Sequence, residues 1–263
     1  KIRCEIKDRE KDEKVDQTQK TGFQNFNRVI SAKVIDDIRN NWLPQLGLSL
    51  SSSSLSYMAH RVQMVENFCI GRMAAPIETA LIRSLTARSV KEKNINILEI
   101  GTLFGVGVAV IYDNCTSFFD NVHVTVIDPF DGYYEKGKLD VVTKIPVTKK
   151  NFEINMKRLG IPREDYDIIQ EQSSSAFAVS EAGKRMYDLL IIDGDHSREG
   201  VKRDFLLYRN YVKENGYIIF DDYCEDWPEI KSFVDEEIMP VANLKLIGTG
   251  YRSAVFKVIK SFN

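Results

Sequence analysis

INILEIGTLFGVGVAVIYDNC, residues 95–115, decides the fold. Its first six residues form an apolar run of strand length, and its last ten carry helical apolar spacing. Between them lies a loop with Gly101 and Gly105, and Gly107 follows just inside the helix. The unit then repeats. VHVTVI (122–127), YDIIQ (166–170), YDLLII (187–192) and YIIF (217–220) alternate with helical stretches at 151–159, 174–183 and 198–212, and a further helix follows at 229–239. LKLIG (244–248) and AVFKVI (254–259) close the chain as an antiparallel pair. Strands apolar on both faces, separated by helices, predict an α/β, doubly wound, mostly parallel seven-stranded sheet with an antiparallel C-terminal strand.

Outward from this core the chain is less patterned. Residues 1–20 are almost all charged or amide-bearing and read as a solvated helix, tail or linker. Residues 21–48 are amphipathic, with Phe23, Phe26, Val29, Ile30, Val34, Ile35, Ile38 and Trp42, enough for a helix on the main domain. SLSSSSLS (49–56) reads as a loop, and helices are predicted over about 57–70 and 76–88, the second opened by Pro76. The division expected is an N-terminal charged and helical extension, 1–56, serving assembly or acceptor binding, and a catalytic domain, 57–263.

Thirty-six basic against thirty-eight acidic residues leave a net charge of −2, which argues against nucleic acid or an anionic membrane surface as partner. The apolar runs fall short of the roughly 18 residues a membrane span needs. Cys4, Cys69, Cys115 and Cys224 are too far apart for a CxxC motif, and Cys115 and Cys224 sit in runs that read as interior. Reduced thiols in a cytoplasmic protein are the expectation. The chain begins at Lys1, so an upstream domain is left open, as is a homo-oligomer.

Ligands in such sheets bind at the carboxyl edge of the strands, so the polar residues after each strand carry the chemistry. Glu99-Ile-Gly101-Thr102-Leu-Phe-Gly105-Val-Gly107 has the spacing ExGxxxGxG, not the dinucleotide GxGxxG. A carboxylate there suits a ligand's ammonium group, favouring an amino-acid-bearing cofactor. Asp128 is placed to accept both hydroxyls of a ribose, and Ser173 lies where an adenine edge would fall. Asp193-Gly-Asp195-His196 follows the fourth strand and Asp221-Asp222 the fifth. If those strands are neighbours their carboxylates converge, and a divalent cation relieves the repulsion; oxygen ligands suit Mg²⁺, Mn²⁺ or Ca²⁺. His196 is a candidate general base. His60 and His123 read as structural. The polar 130–150 insertion, with Tyr133, Tyr134, Lys136 and Lys138 and with Lys149 and Lys150 at its end, is a candidate lid, or a solvated loop. Trp227 could stack on a sugar face or simply pack.

ExGxxxGxG, the Asp ending the second strand, and IDGDHSREGVKRDF followed by GYIIFDDY resemble the class I S-adenosylmethionine-dependent methyltransferases. More narrowly they are similar to metal-dependent sugar O-methyltransferases of natural-product pathways, of the macrocin and aminocoumarin type. The resemblance covers about residues 73–259 and implies a Rossmann-like fold. It implies that Glu99, Gly101, Thr102, Gly105, Asp128, Ser173 and Asp193 hold S-adenosylmethionine. It further implies that Asp193, Asp221 and Asp222 bind Mg²⁺ (or Mn²⁺), with His196 or Asp195 as base. The expected acceptor is a glycan or glycosylated small molecule. Catechol methyltransferases share the layout but usually have Asn as the last ligand, where this chain has Asp222. A catechol-like phenol and a non-catalytic binding module are the competing readings.

Overall fold

The computed structural model describes residues 29–132 and 137–262. The lead at 1–20, Cys4, Phe23 and Phe26, and Tyr133, Tyr134 and Lys136 of the insertion lie outside the described residues.

Seven strands form one sheet: β1 (Asn94–Ile100), β2 (Asn121–Ile127), β3 (Tyr166–Ile169), β4 (Tyr187–Ile192), β5 (Val212–Asp221), β6 (Leu244–Gly250) and β7 (Ser253–Val258). Their order is β3-β2-β1-β4-β5-β7-β6. β1 to β5 run parallel, and β7 inserts antiparallel between β5 and β6. The chain winds outward from β1 in both directions, so the topological switch lies between β1 and β4. Register sets Ile100 beside both Ile127 and Ile192, and Ile192 beside Phe220. The loops that start at Gly101, Asp128, Asp193 and Asp222 therefore open on one edge. The predicted α/β fold with its antiparallel C-terminal strand is the fold observed.

Alternate side chains along the strands feed two cores, as a period of two requires. Ile97, Val124, Leu189, Ile191 and Ile219 face one layer, and Leu98, Ile100, Leu190, Ile192 and Ile218 the other. The first layer is covered by α1 (Ala32–Asp37), a π turn at Ile38–Trp42, α2 (Leu43–Leu46), α3 (Ser52–Phe68), α4 (Ile77–Arg88), α5 (Val106–Cys115) and α6 (Lys149–Arg158). α7 (Ala176–Ala182), α8 (Arg198–Tyr208) and α9 (Pro228–Phe233) cover the second.

The serine run departs from expectation. Helix α3 begins at Ser52, inside the stretch read as a loop, and passes through position 56. Ser51 is its N-cap, its hydroxyl accepting the Ser54 N–H at 3.0 Å, and Leu55 is fully buried. A capping serine followed by an apolar face outweighs the weak helix propensity of the serines between. The 198–212 helix is likewise shorter than expected, ending at Tyr208, because Val212 already pairs with Tyr187 as the start of β5. Cys69 and Cys115 are buried and in no disulfide, whereas Cys224 is only half-buried.

The described part of the 130–150 insertion is pinned down. Asp140, fully buried, receives both Nε and Nη2 of Arg72 and the amide and hydroxyl of Thr143. Arg72 sits on the α3–α4 connection, which walls the cleft described below. Among the described residues, no helix is long and apolar enough to cross a membrane.

Trp42 is 5% exposed and lies against Gly248 and Tyr251 of the β6–β7 hairpin. If the N-terminal helices are part of the core, Trp42→Ala should destabilise the protein by about 3–5 kcal/mol in urea unfolding. A loss below about 1 kcal/mol would mark them as a detachable appendage.

Candidate active site

A cleft of about 1080 Å³ opens at the carboxyl edge of the sheet. Glu99, Gly101, Thr102, Asp128, Ser173, Asp193, Asp195, His196, Asp221 and Asp222 all line it. Gly105, expected at the cofactor, does not.

The glycine loop is shaped by protein packing. Gly101 has φ +80°, and a Cβ there would stand 2.1 Å from the Asp193 carbonyl oxygen. At Gly105, φ +74°, a Cβ would lie 2.4 Å from the Phe152 ring. A side chain at position 101 would therefore collide with the loop after β4. Gly107 differs, since its Cβ would make only ordinary contact with Arg83 and Glu99.

Asp128 holds this loop from the end of β2. One carboxylate oxygen accepts the Thr102 and Leu103 amides at 2.8 and 3.0 Å, and the other accepts the Phe130 amide at 2.7 Å. Three of its roughly four acceptor positions are taken, leaving about one for a ribose hydroxyl where two were expected. Ser173 donates its hydroxyl to Asp204 at 2.6 Å. Asp204 is fully buried, and burial raises its carboxyl to about 6.

The acids at the carboxyl ends of β1, β4 and β5 meet a residue that belongs to none of the sequence motifs. Arg83 of α4, 4% exposed, places Nη1 3.2 Å from Glu99 Oε1. Its Nη2 lies 2.7 Å from Asp193 Oδ2 and 2.8 Å from Asp221 Oδ2. Asp193 and Asp221 converge, with Glu99 as a third acid and Asp195 outside the group, and an internal guanidinium already supplies positive charge among them. Burial raises Glu99 to about 7 despite that neighbour. Burial also pushes up Asp193, but Arg83 overrides it and leaves the group below the usual carboxylate range. Asp221 is held well above that range by its burial. Glu99 Oε2 and Asp221 Oδ1 are buried with no hydrogen-bond partner among the described residues.

A second arginine serves Asp222. Arg252, at the tip of the β6–β7 hairpin, donates Nε to Asp222 Oδ1 at 2.7 Å. The Asp222 backbone is left-handed, φ +54°, a strained setting typical of functional loops. Its other oxygen, Oδ2, lies 3.4 Å from His196 Nε2, which is 3.8 Å from Asp193 Oδ1. Ligand-capable atoms of Asp193, His196 and Asp222 thus fall within 4.8 Å of one another. Asp221 stands outside this group. The His196 ring packs edge-to-face on Trp227, centroids 4.2 Å apart. Asp195 is turned away, half exposed, accepting the Ser197 amide beside the start of α8.

Arg83 left one trace in the sequence: IETALIRSLTAR puts a charge inside a helix whose neighbours Leu81, Ile82 and Leu85 are all apolar. Arg252 left none, because a hairpin tip with an arginine is ordinary.

Residues 98–223 match a family profile described as Methyltransferase domain. R132, an uncharacterised protein of Acanthamoeba polyphaga mimivirus, is 30% identical over 150 residues, 51% of this chain and 64% of the relative. The chain therefore spans a little under two thirds of the curated relative it matches. CalS11, a TDP-rhamnose 3′-O-methyltransferase of calicheamicin biosynthesis, has a similar structure. Its TM-score is 0.52 at 14% identity, covering 80% of this chain and 96% of that one. Cofactor-bound Rv0187 from MTB gives a TM-score of 0.50 at 12% identity, covering 80% and 90%. At those identities the likeness is one of fold. Residues 98–223 thus match the profile of a methyltransferase domain, and the chain shares the fold of CalS11 and Rv0187.

The two glycines give a paired test of the loop. Gly101→Ala should cost roughly 2–4 kcal/mol in calorimetric unfolding, from left-handed strain plus the Asp193 clash. Gly107→Ala, inside α5, should stay within about 1 kcal/mol of wild type or gain slightly. Equal effects at both positions would contradict the packing described.

Proposed function

We propose that this chain transfers the methyl group of S-adenosylmethionine to a hydroxyl of a sugar or glycosylated small molecule, assisted by Mg²⁺ or Mn²⁺. The observation that carries the reading is the convergence of Asp193, His196 and Asp222 in the same cleft as Glu99 and the glycine loop. Glu99 Oε2 is a buried acceptor without a partner, suited to the cofactor's ammonium group. Asp128 keeps one position for a ribose hydroxyl. Ser173, its proton given to Asp204, can still accept from an adenine amino group.

The donor set fits a hard divalent cation. Asp193 offers Oδ1 while Oδ2 faces Arg83, and Asp222 offers Oδ2 while Oδ1 faces Arg252. Such an ion, when bound, supplies Lewis acidity toward the acceptor hydroxyl. His196 Nε2 stands beside both offered oxygens, where it would take the acceptor hydroxyl's proton. Trp227 fixes that ring by its edge-to-face contact. The sulfonium group is the reactive part, so the protein's work is orientation and charge placement.

A sugar acceptor is supported by Asp222 as the last acid and by the likeness to a TDP-rhamnose enzyme. Trp227 and Pro228 on the cleft wall favour a flat phenol as second reading. Labelled methyl donor offered with nucleotide sugars, glycans and catechols decides between them. Label in catechols alone would install the phenol reading. Tight S-adenosylhomocysteine binding with no transfer to any acceptor would leave a binding module.

Turnover should vanish in excess EDTA and return with Mg²⁺ or Mn²⁺. His196→Ala should lower turnover by about 10²–10⁴ with cofactor affinity nearly unchanged. Full activity in EDTA would remove the ion from the reading. A fully active His196→Ala enzyme beside an inert Asp195→Asn one would move the base to Asp195.

A further inference from the structure

Arg83 reaches the site from outside the motif region, on a helix that otherwise packs apolar side chains. Its three acids come from three different strand ends, and it takes one oxygen from each. The second oxygens of Glu99 and Asp221 stay buried without a partner, and that of Asp193 faces His196. One side of each carboxylate is held and the other is offered. A planar guanidinium can bridge several carboxylates in this way; a lysine ammonium, a point charge on a flexible stem, is poorly suited to it.

We propose that Arg83 is the resident counter-ion of the site, a positioning residue that holds Glu99 and Asp193 ready for their ligands, with Asp221 as its dedicated partner. Three carboxylates, Glu99, Asp193 and Asp221, share the one guanidinium of Arg83, while Asp222 has its own in Arg252. Arg83 also repels any ion seated at Asp193, which keeps the ion exchangeable. Its pull on Glu99 acts in the opposite sense, orienting the carboxylate for the cofactor's ammonium group. The inference rests on the cofactor and cation reading above.

Its signature is a pair of effects with opposite signs. In Arg83→Met, Mn²⁺ affinity followed by electron paramagnetic resonance should rise about tenfold, because a neighbouring positive charge is gone. S-adenosylhomocysteine affinity, measured by calorimetry in EDTA, should fall about tenfold, because the orienting partner of Glu99 is gone. Arg83→Lys keeps the charge and should restore Mn²⁺ affinity to near the wild-type value, with cofactor affinity between the two. Loss of both affinities in Arg83→Met would make Arg83 plain framework, and no change in either would do the same; both overturn the proposal. Arg83→Lys matching Arg83→Met in the Mn²⁺ arm overturns it too. If Arg83→Met folds only with metal, Mn²⁺ must restore the wild-type far-ultraviolet spectrum; a chain that stays unfolded counts against the proposal. Wild-type protein that binds no Mn²⁺ would sink the cation reading instead. The calorimetric arm then decides alone: weaker binding in Arg83→Met than in Arg83→Lys upholds the Arg83–Glu99 link, and equal binding overturns it.

Discussion

A guanidinium buried among three carboxylates at the edge of a parallel sheet is the interaction on which the site depends. Glu99, Asp193 and Asp221 are brought together by strand register alone, since β1, β4 and β5 are neighbours. Register cannot make their charges compatible. Arg83 does so from α4, and its position requires that helix to lie flat against the sheet. Breaking a buried ion pair by removing one partner leaves an uncompensated charge, a loss of about 3–5 kcal/mol. The packing of α4 and the chemistry of the cleft are therefore one problem with one solution.

The fold was legible because its signal is periodic. Apolar strands such as Leu189–Ile192 and Tyr217–Phe220 bury both faces, and no competing local preference masks them. The carboxyl-edge residues were legible for a related reason: each is a polar residue at or just past the carboxyl end of its strand, so topology carries Asp193, Asp221 and Glu99 into one cleft. Serines 52–54 read as loop by composition, whereas the Ser51 cap and a buried Leu55 make them helix. Arg83 and Arg252 escaped because their partners are distant in the chain, and distance in sequence hides an ion pair whichever residue one starts from.

Roles were less legible than positions. Gly101 was noticed as a glycine beside a ligand, yet its necessity arises from the backbone of Asp193. Asp128 was noticed as a ribose acceptor, yet most of its capacity goes to the amides of Thr102, Leu103 and Phe130. In both cases the residue that a motif marks as touching the ligand first builds the surface the ligand would meet. A sequence pattern records where such residues stand and is silent on how many of their bonds are already committed.

The hairpin that carries Arg252 has only Tyr251 and Arg252 between the paired residues Gly250 and Ser253. Both have left-handed backbones, φ +51° and +57°, the geometry of the tightest β-turn. Tyr251 is fastened on one side, its hydroxyl to Asp37 and its carbonyl to Thr79, while Arg252 reaches the other way to Asp222. The turn works as a fixed-length gauge block between the N-terminal helices and the acid cluster. Lengthening it by a single residue would relax its handedness and swing Arg252 off its partner, so loop length here is as constrained as the identity of any side chain.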